Sequence, residues 1–215
     1  MTKVKICGIR RKEDICLANY YLPDYIGFVF AESKRRVTCS EVRVLSLGLN
    51  KSIKKVGVFV NEHLKDVIVI TEACGLDVVQ IHGDESPEYI CSLKEKLIGR
   101  TSKTDGSPIE IWKALRVRDK NSLNRIEAFN ADAFLLDTFV DGSYGGSGKT
   151  FDWKLVCDEQ YKKRIVLAGG LCAKNVKNAI ECAKPFAVDI SSGVETDGFK
   201  DELKIRDFIN AVRSE

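Results

Sequence analysis

The chain has no long apolar run: nothing in it approaches the ~20 consecutive residues of a membrane-spanning helix, which argues against a membrane protein. It also has no concentration of charge of one sign. Its 34 lysines and arginines are scattered among 31 acids, leaving a net charge of +3, whereas a nucleic-acid footprint needs a clustered basic stripe. No apolar stretch separates a basic start from a small-residue cleavage site, so no signal peptide is expected. No linker divides the sequence, so residues 1–215 are expected to form a single domain. Cysteine alone is plentiful, with eight at positions 7, 16, 39, 74, 91, 157, 172 and 182. None lies in a CxxC or Cys/His cluster, so zinc is unsupported. All but Cys7 read as reduced thiols packed as small hydrophobes in a cytoplasmic protein.

What is present is an alternation. Short, mostly apolar strands are expected over residues 4–9, 25–30, 55–60, 78–83, 110–117, 133–138, 165–170 and 186–191. Helical spacing or capping residues fall between and after them, over 12–21, 40–49, 61–74, from 87, 121–129, 152–161, 174–183 and 201–213. Asn61 and Asn121 are the expected caps of two of these helices, and Gly75 is an expected stop. Eight strands alternating with eight helices imply a parallel sheet covered by helices. A period of roughly 25 residues fits a closed (β/α)8 TIM barrel better than an open sheet.

In such a barrel the site lies at the C-terminal strand ends, and phosphate is commonly held after strands seven and eight. Those ends are where the polar residues gather: Cys7, Gln80 with His82, Asp137, Gly169-Gly170, and Asp189 with Ser191-Ser192-Gly193. Gly169, Gly170, Ser191 and Ser192 sit at the phosphate positions, where loop N–H groups can bind an anion without a basic side chain. Alternation puts Asp137 on the face of Leu135, opposite Phe134 and Leu136. There it is either a general acid or the partner of an inward lysine such as Lys5. Lys5 shares a strand face with Cys7, so the thiol is either a base favoured by that cation or a packing residue. Arg35, in the loop after the second strand, can hold a carboxylate or be solvated. His82 reads as a base or a hydrogen-bonded structural residue.

The segments Lys5-Ile6-Cys7-Gly8-Ile9, Gly27-Phe28-Val29-Phe30, Ser33-Lys34-Arg35, Gly57-Val58-Phe59-Val60-Asn61 and Val79-Gln80-Ile81-His82-Gly83 form an ordered set. It continues through Leu136-Asp137-Thr138, residues 145–153, Leu167-Ala168-Gly169-Gly170-Leu171 and Val188-Asp189-Ile190-Ser191-Ser192-Gly193-Val194-Glu195. With this set the chain resembles the phosphoribosylanthranilate isomerases of tryptophan biosynthesis. The resemblance implies an acid/base Amadori rearrangement of a phosphosugar, with no metal or organic cofactor, in a monomer or homodimer. It implies Asp137 as general acid, Cys7 as base and Arg35 as the contact for the anthranilate carboxylate. Gln80, His82 and Asp189 would contact the substrate, and Gly169, Gly170, Ser191 and Ser192 the phosphate. The glycine-rich stretch 142–150 would close over the ligand.

Overall fold

Alternation of side chains along each strand sorts the residues into an inner and an outer set, and a computed structural model shows both. It describes residues 1–138, 150, 152–157 and 163–214. The expected stretch 142–150 lies outside the described residues apart from Thr150, as does the end of the helix expected over 152–161. Eight strands form one closed parallel barrel in sequential order. They are β1 (Lys3–Cys7), β2 (Tyr25–Val29), β3 (Lys54–Phe59), β4 (Val78–Ile81), β5 (Glu110–Val117), β6 (Ala133–Thr138), β7 (Arg164–Leu167) and β8 (Ala187–Ile190). β1 pairs with both β2 and β8, which closes the ring.

The outward set of apolar residues meets the helices. Ile6, Phe28, Phe59, Ile81, Phe134, Leu136, Leu167 and Val188 are fully or almost fully buried against α1 (Lys12–Tyr21), α2 (Cys39–Ser46), α3 (Leu64–Cys74), α4 (Pro87–Leu97), α5 (Lys154–Cys157), α6 (Val176–Ala183) and α7 (Glu202–Arg213). Truncating one such phenylalanine to alanine costs about 3–5 kcal/mol. The inward set, Tyr25, Val56, Val78, Trp112, Ala114, Ala133, Leu135, Val166, Ala168 and Ala187, packs as a separate core inside the ring. Tyr25 meets Trp112 edge-on, with ring centroids 5.0 Å apart. The interior is therefore a filled plug with polar groups at both mouths, Arg164 pairing with Glu110 at the N-terminal end and the other polar groups lying toward the C-terminal end.

The helix ends follow local chemistry. Ser86 caps α4 ahead of Pro87, and Gly75 ends α3 in the left-handed conformation. Two expected caps are corrected. Asn61 takes a φ of 50° and ties β3 to the next loop, its N–H donating to Glu85 Oε1 (2.7 Å) and its Oδ1 accepting from Asp84 N (2.8 Å), while α3 starts after His63. The helix after β5 is a 3₁₀ helix, Lys120–Ala128, capped by Asp119 rather than Asn121 because Asp119 and Ser122 satisfy each other's backbone N–H. A two-stranded hairpin, β9 (Glu195–Thr196) and β10 (Phe199–Lys200), follows β8 and was not expected. Among the cysteines, Cys7 and Cys74 are buried and free, whereas Cys16 and Cys91 are exposed, so those two do not pack. Cys182 is disulfide-bonded, against the expectation of a reduced thiol.

Candidate active site

Register places the charged groups before any loop does. Lys5 of β1 lies opposite Asp189 of β8, both inward, and Lys5 Nζ donates to Asp189 Oδ1 at 2.9 Å. Lys5 is wholly buried, and the Asp189 side chain is 10% exposed. Burial works to lower the Lys5 ammonium, but Asp189 and Cys7 beside it outweigh burial and hold it above its ordinary value. Of the two readings left open for Asp137, the pairing with Lys5 is not the one formed: that lysine donates to Asp189 instead.

Cys7 ends β1, is 8% exposed, and shares the environment of Lys5. Burial pushes its thiol up, Lys5 and Lys200 pull it down, and Asp189 adds to the rise; the balance lies above the ordinary thiol value. The same strand end is tied to β8 by Ser191, whose Oγ donates to the Cys7 carbonyl at 3.1 Å. The hydroxyl proton is spent on Cys7, so Ser191 offers an anion its backbone N–H as donor, while the hydroxyl oxygen can only accept.

Asp137 projects inward from β6, as the alternation required, and is 8% exposed. Its Oδ1 accepts from Thr138 N at 2.8 Å, and its Oδ2 stands 3.5 Å from His82 Nε2. His82 is in turn held from β4, with Gln80 Nε2 2.8 Å from His82 Nδ1. Gln80, His82 and Asp137 thus form a chain along one wall of the mouth. Among the described residues neither His82 Nε2 nor Gln80 Oε1 has a hydrogen-bond partner, although both are buried.

Between β6 and β8, a cavity of about 320 Å³ is lined by Asp137, Gly169, Gly170, Asp189, Ser191 and Ser192, among others. Gly169 and Gly170 have φ values of +82° and +61°. Asn175 fixes their loop, its Nδ2 donating to Gly170 O at 3.0 Å and its Oδ1 accepting from Cys172 N at 2.8 Å. A second cavity, about 220 Å³, opens beside His82 at the ends of β4 and β5 and is lined by Asp84, Lys113, Arg116 and Arg125 among others.

Arg35 stands on the rim, half-buried and held rather than free in solvent. Its Nε and Nη2 donate to the two oxygens of Glu195 at 2.8 and 2.7 Å. Lys200 Nζ donates to the same carboxylate at 2.8 Å and to Ser191 O at 3.0 Å. Glu195 and Lys200 had not been singled out as site residues. Their signal was Asp197-Gly198, which is strongly associated with a tight hairpin and here takes φ values of 52° and 78° at the turn. Among the described residues no group of three or more His, Cys, Asp or Glu is placed to hold a metal ion.

A closed (β/α)8 barrel whose inward thiol and carboxyls gather at the C-terminal mouth beside glycine loops has the build of a barrel enzyme. The model of the N-(5'-phosphoribosyl)anthranilate (PRA) isomerase family matches residues 4–211, and the chain belongs to that family. It is 56% identical over 214 residues to the N-(5'-phosphoribosyl)anthranilate isomerase of Acetivibrio thermocellus, covering 99% of this chain and 96% of that protein. The isomerase of Thermoanaerobacter pseudethanolicus is 46% identical, covering 99% and 98%. Among solved structures, phosphoribosyl anthranilate isomerase from Thermotoga maritima superposes with a TM-score of 0.86 at 36% identity, covering all of both chains. A structure of phosphoribosyl anthranilate isomerase in complex with reduced 1-(o-carboxyphenylamino)-1-deoxyribulose 5-phosphate gives 0.83 at 33% identity, also over all of both chains.

Proposed function

We propose that Cys7 and Asp137 are the base and acid of the family's reaction, the isomerisation of N-(5-phosphoribosyl)anthranilate to 1-(2-carboxyphenylamino)-1-deoxyribulose 5-phosphate. The observation that carries this is topological. β7 and β8 lie between β6 and β1 in the closed ring, so Asp137 and Cys7 flank the loops that form the glycine and serine cradle. A sugar anchored there by its phosphate has a carboxyl at one side and a thiol at the other.

The steps balance without an outside reagent. Asp137 gives its proton to the furanose ring oxygen as the C1–O bond breaks, and the anthranilate nitrogen lone pair closes an iminium. Cys7 removes the C2 proton as its thiolate, the form that Lys5 and Lys200 favour against burial and Asp189, and those electrons form the C1–C2 double bond while the iminium pair returns to nitrogen. The enol then loses its hydroxyl proton, C1 gains one, and the ketone results. Gly169, Gly170, Ser191 and Ser192 hold the phosphate, Arg35 the carboxylate, and Gln80, His82 and Asp189 line the path of the sugar.

The test is the fluorescence decay of freshly made phosphoribosylanthranilate with wild type, Cys7→Ala and Asp137→Asn. General acid or base catalysis contributes about 10²–10⁴-fold, so each variant should lose turnover by that order while keeping affinity for the reduced product. Near-normal kcat in either variant removes that residue from its role.

A further inference from the structure

Three loops meet at Arg35, and charged groups lock them together. Glu195, on β9, takes both Nε and Nη2 of Arg35 in a two-bond fork. Lys200, on β10 and almost wholly buried, donates to the same carboxylate. Arg10 closes the frame from the loop after β1, its Nη1 donating to Lys34 O at 2.8 Å and its Nη2 to Gly198 O at 2.6 Å. The guanidinium carbons of Arg10 and Arg11 lie 4.7 and 4.4 Å from the ring centroid of Phe199. The hairpin is therefore fixed against the arginine loop at both its turn and its base.

The edge that Glu195 takes matters. A guanidinium offers a side edge, Nε with one terminal nitrogen, and an end edge made by the two terminal nitrogens. Glu195 fills the side edge and leaves the end edge, and among the described residues Nη1 has no hydrogen-bond partner. The side chain of Arg35 crosses directly over Gly8, where a Cβ would lie 2.5 Å from its Cδ. The stem and Nε of Arg35 therefore lie beside the end of β1, where Cys7 sits. Charge completes the arrangement. Arg35 and Glu195 alone would cancel, leaving little attraction for a third carboxylate, whereas Lys200 restores a net +1 to the triad.

We propose that Glu195 is a positioning residue that sets specificity for the aryl carboxylate: with Lys200 offsetting its charge, it aims the end edge of Arg35 at a ligand carboxylate next to Cys7. The proposal rests on the reading of Arg35 as the carboxylate contact. It makes the enzyme distinguish an o-carboxyphenyl aminosugar phosphate from the same molecule with a plain phenyl ring.

Two ligands separate the possibilities, the reduced product and its counterpart lacking the carboxylate, with dissociation constants from calorimetry. Glu195→Ala should weaken the carboxylated ligand about tenfold, about 1.4 kcal/mol, and leave the phenyl ligand within twofold. Glu195→Gln, which keeps one acceptor, should fall between. KM for the substrate should rise while kcat stays within about threefold. Added to Arg35→Ala, Glu195→Ala should cost nothing further. Equal loss of both ligands would mean that Glu195 only supports the hairpin and the phosphate loop, and unchanged affinity for both would mean that it does nothing to Arg35; either result overturns the proposal. If Arg35→Ala itself leaves the preference for the carboxylated ligand intact, the carboxylate reading of Arg35 fails instead.

Discussion

Replacing Gly169 by alanine tests how tightly the loop after β7 is built against Asp137. Gly169 has a φ of +82°. A Cβ there would overlap Thr138 Oγ1 and lie 2.7 Å from Thr138 N and 2.8 Å from Asp137 Oδ1. The left-handed conformation costs an alanine roughly 1–2 kcal/mol, and forcing a methyl into packed surroundings adds about 1–3. The sum is roughly 2–5 kcal/mol, and at about 2–4 °C per kcal/mol for a chain of this size Tm should fall by roughly 4–20 °C. Gly99 supplies the control, because its φ of +78° is nearly the same and no atom lies within 4 Å of its would-be Cβ. Gly99→Ala should therefore show the backbone cost alone, roughly 1–2 kcal/mol, with kcat unchanged. Gly169→Ala should also lose turnover, on the order of 10²-fold, because the methyl displaces the Asp137 carboxyl. Calorimetric Tm and single-turnover decay on the two variants decide the matter. If Gly169→Ala loses no more stability than Gly99→Ala and keeps its kcat, the close approach described above does not exist.

Lys5→Met leaves the Asp189 carboxylate unpaired inside the barrel, so urea unfolding should show a loss of about 3–5 kcal/mol. Adding Asp189→Asn should recover part of it, and a strictly additive double variant would contradict the pairing. Burial acts to raise the Glu195 carboxyl, but Arg35 and Lys200 outweigh it and hold the group below its ordinary value of 4.5. A carboxyl lowered in the folded state contributes stability that is present above that ordinary value and lost as pH falls through the lowered one. The stability advantage of wild type over Glu195→Gln should accordingly shrink from pH 6 to pH 3, and an advantage that grows on acidification would refute the assignment.

The barrel was legible because its signal is repeated. Strands such as Phe134-Leu135-Leu136-Asp137 carry an outer apolar face and an inner face that turns polar at the C-terminal end, and buried apolar faces recur around the ring. Boundaries were less legible. Asn61 and Asn121 are good cap residues, yet Asn61 is claimed by Glu85 and Asp84, contacts from the loop after β4 that no local pattern contains. The pairing of Lys5 was left open for a similar reason: alternation gives the face of an inward residue, and only the register between β1 and β8 chooses Asp189 over Asp137. The hairpin β9–β10 escaped because strands of two residues have no periodicity, although Asp197-Gly198 marked its turn. With it escaped Glu195 and Lys200, and so the true environment of Arg35.

The seam where the first barrel strand meets the last has a consequence for synthesis. Lys5 is made 184 residues before Asp189, the β8 partner that seats it, and the hairpin that steadies Arg35 comes later still. A nascent chain can build most of its helices and still hold no working centre. The pairing of β1 with β8 can form only after the segment that carries β8 has been made.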